Sequence, residues 1–137
     1  HDLPAQYDSV KIEVIDVLAH TNVNGWIHLN THVGIYDLLL LQNGVDTLLV
    51  PPQEIPEGTL SQIRFILGSH NTVVISGISY PLTLSSQDES GLKLNIHQEL
   101  IDNTNYTISV DFDTEKSILE NGNGTYKLKP VINASIQ

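Results

Sequence analysis

The 137-residue chain contains neither cysteine nor methionine. Without cysteine, disulfide bridges, thiolate catalysis and zinc–cysteine sites are excluded. Without methionine there is no initiator residue, so we expect further sequence before His1, where a signal peptide or a lipid anchor could lie. No window of about 18 apolar residues occurs, and we therefore expect no membrane-spanning segment in this chain.

Basic side chains are also scarce. Lysine and arginine total 6 against 16 aspartate and glutamate residues, which gives a formal net charge of −10. Such a surface repels a phosphate backbone and anionic lipid head groups, so we expect no nucleic-acid partner. The length fits one domain over residues 1–137 and is sufficient to bury a core without covalent staples.

Helical periodicity is rare, whereas alternation of apolar and polar residues recurs along the chain. The run "NYTISVDFD" places Tyr106, Ile108, Val110 and Phe112 on one face and polar residues on the other. Turn signals such as "QNG", "PPQEIPEG" and "DNTN" separate similar runs at intervals of roughly 8–12 residues. This pattern predicts an all-β fold, an antiparallel β-sandwich.

The first strand carries a change of phase. Val10, Ile12 and Val14 share one face, and then Ile15 and Val17 carry the apolar positions. A β-bulge near Val14 explains such a slip. "NVNG" follows as a hairpin signal, and "WIHLN" is predicted as the returning strand.

Helix is confined to one or two predicted single turns. "TEKSILENG" can be capped by Asp113 or Thr114 and closed by Asn121 or Gly122. "YDLLLLQNG" fits either a helical turn or a short strand, because its apolar run of four residues has no clear period.

Three acidic residues, Asp111, Asp113 and Glu115, alternate like the first ligands of a calcium loop. An EF-hand loop needs glycine at its sixth position and glutamate at its twelfth. Counted from Asp111, these positions hold Lys116 and Gly122. The pattern therefore favours a solvated strand face followed by a helix cap, and we expect no bound metal and no cofactor.

Histidines are the next candidates for metal binding. On a strand His28 and His32 would share a face about 13 Å apart, which is too far for one zinc ion, although a turn at Asn30 or the approach of His20 would shorten that distance. Solvent-facing positions are the commoner alternative. Ser69 and His70 are adjacent, so on extended chain they point apart. Without a G-x-S-x-G elbow either, we expect no enzyme.

Several motifs in order along the chain resemble an uncharacterised bacterial family, domain of unknown function 4382. They are Tyr7, Asp8 and Val10; Trp26; "DLLLLQNG"; "IPEGTLSQIRFIL"; "SGLKL"; "DFDTEKSI"; and "GNGTYKLKPVI". The resemblance implies an immunoglobulin-like or transthyretin-like sandwich. It also implies a cell-envelope location, outer-membrane-anchored or secreted, since members are mostly secreted or lipid-anchored proteins, many from Bacteroidetes. It implies no activity.

Two departures from that family stand out. Members usually begin with an extra strand that ends in a Leu-Thr-Asp-Ala-Pro-like turn, and this chain starts just after that place. Leu60 also stands where the family pattern suggests an aromatic residue. A sandwich without its first strand would offer a groove for a strand of another chain, as in strand-addition complexes.

Arg64, Lys93, Lys116 and Lys129 fall inside the motifs. In so acidic a chain we expect some of them to pair with Asp37, Asp111 or Asp113 and to fix strand register; the alternative is a ligand-binding lysine at Lys93 or Lys129. Trp26 and Tyr126 are candidates for an aromatic sugar platform, with core packing as the alternative.

These observations predict a non-catalytic cell-envelope module with a structural, adhesive or assembly role. Its partners would be other surface proteins or glycans. The alternative function is ligand binding, for a glycan or a divalent cation. Because a fold does not by itself imply a function, the choice depends on the geometry of the site.

Overall fold

The computed structural model describes residues 7–40, 47–84, 91–113, 117–122, 124–129 and 131–137. These residues form eleven strands: β1 (Ser9–Thr21), β2 (Gly25–His28), β3 (Gly34–Asp37), β4 (Gly58–Leu67), β5 (Thr72–Ile75), β6 (Ile78–Leu84), β7 (Leu92–Leu100), β8 (Ile108–Phe112), β9 (Ile118–Glu120), β10 (Tyr126–Leu128) and β11 (Ile132–Ile136). The predicted all-β fold is confirmed.

The strands form two sheets. The larger runs in the order β7-β4-β1-β5-β6-β10-β9, and β2 and β3 also pair with β1. The smaller contains β8 and β11. All pairs are antiparallel except β6 with β10, which run parallel, so the larger sheet is mixed. The arrangement is that of a β-sandwich.

Strand β1 is long enough to pair with four others. Its first half lies between β3 and β5, and its second half lies between β2 and β4. The register with β4 shifts between Val14 and Asp16, which leaves Ile15 as the extra residue. The predicted bulge is confirmed. Because a bulge bends a strand, β1 can serve both halves of the sheet.

The phase change across the bulge is also visible in burial. Val10, Ile12, Val14 and Val17 are buried, so the inward face continues on the far side of the slip. Ile15 is 43% exposed, and its predicted place among the inward residues is wrong. An extra residue in a bulge loses its pairing partner and turns away from the regular alternation.

The core forms one cluster of buried residues from both halves of the larger sheet. Ile63, Phe65 and Leu67 enter it from β4, as their alternation predicts. The smaller sheet packs on the same cluster, where the rings of Phe65 and Phe112 meet edge to face with centroids 6.4 Å apart. Burial of these side chains supplies the main favourable term in folding.

The connection after β4 is held against β1 by polar groups. The Asn71 carboxamide accepts a hydrogen bond from the Glu13 backbone N–H at 2.8 Å and donates one to the Gly68 carbonyl at 2.8 Å. Asn71 is 3% exposed, so these bonds satisfy a buried polar side chain. The loop is thereby fixed along the edge of β1, between the stretches of that strand that pair with β4 and β5.

Hairpin and helix predictions have different outcomes. β1 and β2 form the predicted hairpin, with Thr21 opposite Gly25. Ile118–Glu120 is strand β9, so the predicted helix is wrong from Ile118 onward, and residues 114–116 lie outside the described residues. "YDLLLLQNG" begins as the end of β3 and then turns; its residues from 41 onward also lie outside the described residues.

No helix of the described part is long and apolar enough to cross a membrane.

Candidate functional site

The outer face of four neighbouring strands carries a row of polar and aromatic side chains. Across β2, β1, β4 and β7 the register places Trp26 opposite His20, His20 opposite Gln62, and Gln62 opposite Asn95. Directly opposed residues project from the same face of a sheet. These four side chains therefore form one row across the strands.

Trp26, the sole tryptophan of the chain, lies at the edge of this row. It is 42% exposed, so it is a surface residue and not a core residue. The Arg64 guanidinium carbon lies 4.5 Å from the centroid of the Trp26 ring, within the range of a cation–π contact. The His20 ring meets the indole at 68° with centroids 5.0 Å apart. Two neighbours thus hold the indole in a fixed orientation.

Hydrogen bonds order the other members of the row. His20 Nδ1 lies 2.9 Å from Ser61 Oγ. The Gln62 amide nitrogen donates to the Asn95 side-chain oxygen at 2.9 Å. Together with Trp26 these residues line an open, shallow depression of about 340 Å³. The volume lies at the lower end of the range for small-molecule sites.

We call this set the platform: His20, Trp26, Ser61, Gln62, Arg64 and Asn95. It combines an exposed aromatic ring with two amides, a hydroxyl, an imidazole and a guanidinium. Amide and hydroxyl groups can both donate and accept hydrogen bonds, as a polyhydroxylated ligand requires.

Lys93 stands beside the platform, directly opposite Arg64 on β7. Arg64 Nε is buried with no hydrogen-bond partner among the described residues, and Nη2 makes only a long bond of 3.4 Å to Gln62. The aliphatic part of Arg64 packs against Gly91, where a Cβ would lie 2.6 Å from Arg64 Cγ. The arginine is therefore tightly placed although its donors are poorly used.

Two other ligand candidates from the sequence lie elsewhere. Tyr126 is 8% exposed and packs against Tyr80 with ring centroids 5.0 Å apart, so its place in a surface platform is corrected to a core position. Lys129 is exposed next to β10, away from Trp26 in the strand order, and its backbone N–H donates to the Ser117 carbonyl at 2.7 Å.

The expected lysine and arginine ion pairs do not form between described residues, where both ion pairs use histidine: His28 with Asp16 at 2.7 Å and His70 with Glu13 at 2.9 Å. Asp37 accepts hydrogen bonds from two backbone N–H groups, those of Val10 and Leu39. Lys116 lies outside the described residues. The register of β4 with β7 places Arg64 and Lys93 opposite each other and not opposite a carboxylate.

The acidic candidates for calcium lie on and after β8. Asp111 is exposed and opposite Asn133 on β11, and the Asp113 backbone N–H donates to the Val131 carbonyl at 2.9 Å. Glu115 lies outside the described residues. Within the described part of the chain, no three histidine or acidic residues are grouped so that they could hold a metal ion.

Three histidines outside the platform each have a separate partner. His28 Nδ1 contacts Asp16, His32 Nδ1 donates to the Leu48 carbonyl at 2.9 Å, and His70 contacts Glu13. The register sets His20 opposite Trp26 and His28 opposite Leu18. The structure therefore distributes these imidazoles among polar contacts and does not gather them around one point.

The sequence pattern named Trp26 and Lys93 but missed Ser61 and Asn95. Both missed residues stand at polar positions of strands, which are common and by themselves give no sign of a binding role. Their relevance follows only from the register of β4 with β1 and β7.

A model of the family described as domain of unknown function (DUF4382) matches residues 1–130. The chain therefore belongs to this family, and the resemblance found in its motifs is confirmed. No curated protein and no solved structure matches the chain.

Proposed function

We propose that the chain is a non-catalytic, adhesive module that binds a glycan through the platform. The proposal rests on the chain's own geometry, because its family has no assigned activity. We place the chain, within the same proposal, on a bacterial cell envelope as a domain of a secreted or lipid-anchored protein. The observation that carries the proposal is the exposed Trp26 ring, fixed by Arg64 and His20 on a broad sheet face.

Carbohydrate recognition suits the chemistry of this face. A sugar ring presents C–H groups on its flat side and hydroxyl groups at its edge. An indole offers a large apolar surface for the former at low cost in side-chain entropy. Gln62, Asn95 and Ser61 supply donors and acceptors for the latter. An open depression also fits one sugar unit of a longer polymer, because the units on either side of it can extend beyond the site.

The geometry of the Ser61–His20 contact supports the non-catalytic part of the proposal. Ser61 Oγ lies 2.9 Å from His20 Nδ1, but it also donates to the His20 backbone carbonyl at 3.3 Å. Both ion pairs of the described residues belong to other histidines, so none brings a carboxylate to His20 to orient it. An activated nucleophile requires a base that is itself oriented by a third group.

The direct test is a glycan array with the purified protein, followed by a fluorescence titration with the sugar that binds. Trp26 is the sole tryptophan, so a ligand on the platform must change the intrinsic emission. Variants at position 26 lack this fluorophore, so their affinities are measured by titration calorimetry. We expect Trp26→Ala to weaken binding at least about tenfold, equivalent to about 1.4 kcal/mol. Trp26→Phe is the matched variant and should retain part of the affinity because it keeps an aromatic face.

A contrary outcome is well defined. If the array shows no binding to any glycan, or if Trp26→Ala binds as tightly as the natural protein while melting at the same temperature, the platform is not a sugar site. A thermal melt of each variant separates lost binding from lost folding.

An assembly role is the second candidate, because β3 is a short edge strand. Within the described residues β3 pairs only with β1. Ile35 on β3 is 56% exposed, and Val33 just before it is 64% exposed. An uncovered edge with apolar side chains is the surface that strand addition uses.

Sedimentation velocity over a concentration series tests the assembly role. We expect self-association that Ile35→Lys abolishes. Val23→Lys is the control, because Val23 is 64% exposed but lies in the turn between β1 and β2 and not on the edge of a strand. A protein that stays monomeric at every concentration would contradict self-assembly through β3.

A further inference from the structure

A second cation stands directly opposite one member of the platform. Arg64 and Lys93 are directly opposed on β4 and β7. Opposed residues of antiparallel strands have Cβ atoms about 4.5–5.5 Å apart, and like charges at such positions destabilise the sheet. The chain has only 6 basic residues and has 16 acidic ones, so a mixed pair was readily available. A negatively charged ligand would therefore relieve the repulsion between these two side chains.

The described residues do not supply that charge. Asp16 shares this face of the sheet but is occupied by His28 at 2.7 Å. Glu99 lies further along β7, opposite Thr59. Both ion pairs among the described residues use histidine and leave Arg64 and Lys93 without a carboxylate.

The donors of Arg64 are also poorly satisfied. Its Nε–H is buried without an acceptor among the described residues, and its bond to Gln62 is long at 3.4 Å. A guanidinium with unused donors is costly to bury, and a carboxylate or sulfate is the group whose geometry matches its fork. The contacts of Arg64 with Gly91 and Trp26 hold the guanidinium in a preformed position beside the indole.

We propose that the ligand of the platform is an anionic saccharide, whose carboxylate or sulfate group is bound by Arg64 and Lys93 while a sugar ring packs on Trp26. This inference rests on the proposed glycan-binding function and names its ligand class. Trp26 on β2 and Lys93 on β7 are separated by strands β1 and β4. The aromatic subsite and the cationic subsite therefore suit adjacent units of a polymer.

The overall charge of −10 does not prevent such binding. Charges separated by more than about 8 Å are largely screened at physiological ionic strength. The local pair therefore controls the contact, whereas the distant carboxylates reduce the rate of approach. Binding should consequently weaken as salt is raised, because part of it is electrostatic.

The experiment is an array of uronic-acid and sulfated oligosaccharides, each printed beside its carboxyl-reduced or desulfated counterpart. We expect the acidic member of at least one pair to bind about tenfold more tightly than its neutral counterpart, a ratio that a charged group in direct contact readily supplies. The pair that responds identifies carboxylate or sulfate as the recognised group.

Variants then assign the contact by titration calorimetry with the best acidic oligosaccharide. Lys93→Gln should lower its affinity and leave that of the neutral counterpart unchanged. Lys129→Gln changes the net charge equally but lies away from the platform, so it should have no effect. Arg64→Lys keeps the charge and loses the planar fork, so it should also weaken binding of the acidic ligand.

The outcomes separate this inference from the proposed function. Equal binding of acidic and neutral members, or equal effects of Lys93→Gln and Lys129→Gln, overturns the anionic ligand and leaves the sugar platform standing. The absence of binding to every glycan, acidic or neutral, overturns both. Each variant is first checked by its melting temperature, so that a folding defect is not taken for a binding defect.

Discussion

Gly91 lies so close to Arg64 that a Cβ on Gly91 would meet Arg64 Cγ at 2.6 Å and Cδ at 2.8 Å. Gly91 also has φ +118, in the left-handed region that favours glycine. The glycine therefore does two things at once. It lets the chain enter β7, and it leaves the space through which the arginine stem reaches the platform.

The first prediction concerns this contact. Gly91→Ala should lower the free energy of unfolding by about 1–3 kcal/mol, because the backbone is strained and the arginine has to move. Denaturant unfolding measures the loss. Gly77→Ala is the matched control: Gly77 has φ +79 but open space around it, so it reports the backbone cost alone. Equal losses in the two variants would contradict a steric role for Arg64.

The second prediction concerns acid stability. The hydrogen bond from the His70 side chain holds the pKa of Glu13 below its ordinary value of 4.5. A carboxylate with a lowered pKa in the folded state stabilises the protein above pH 4.5, and this contribution is lost as the pH falls through the folded-state pKa. Glu13→Gln should therefore reduce the steepness of acid unfolding.

The control for Glu13→Gln is Asp102→Asn, which removes one carboxylate from an exposed turn. Melting temperatures between about pH 2 and pH 7 make the comparison, a range that spans the titration of carboxylates. An unchanged slope of stability against pH in Glu13→Gln would mean that the pair with His70 contributes nothing to folding.

The third prediction concerns alkaline stability. Burial raises the pKa of Tyr126 above 10.0, with smaller contributions from the carboxylate of Glu120 and from Tyr80. A phenol whose pKa is raised stabilises the fold below pH 10.0, and this contribution is lost as the pH rises through the folded-state pKa. Tyr126→Phe should remove one late-ionising phenol from a spectrophotometric titration. Tyr106→Phe, at a half-buried ring, is the comparison.

The fourth prediction concerns the bulge in β1. Val17 is 2% exposed and Ile15 is 43% exposed, although they are two residues apart on a strand. Val17→Ala should therefore cost about 1–3 kcal/mol, because it leaves a cavity in the core. Ile15→Ala should cost under about 1 kcal/mol, because the side chain is largely solvated. Urea unfolding of both variants makes the comparison; equal losses would contradict the inward positions given by the register.

The inward positions of Ile63, Phe65 and Leu67 follow from alternation alone, because a strand has a period of two and one face is buried. The bulge near Val14 follows from a break in the same alternation. Tyr126 and Leu128 were correctly placed on one face, but alternation does not reveal whether that face is inside. The parallel pairing of β10 with β6 has no local signal, because it joins segments distant in the chain.

The platform illustrates the same limit. Trp26 and Lys93 were candidates from their motifs, whereas their neighbours arise from pairing across four strands. Among the residues that the structure describes, the expected ion pairs of Arg64 and Lys93 do not form, for the same reason. Composition suggests carboxylate partners, but only register decides which side chains are opposed. Local patterns predict faces, and long-range pairing determines the site.

The position of β1 between four partners has a consequence for how the molecule folds. Neither half of the larger sheet can be completed before this strand is in place, because each half hydrogen-bonds to a different stretch of it. The two halves therefore cannot melt independently, and denaturation should follow a single all-or-none transition. Many of its contacts join distant parts of the chain, so refolding should be slow, in the range of milliseconds to seconds.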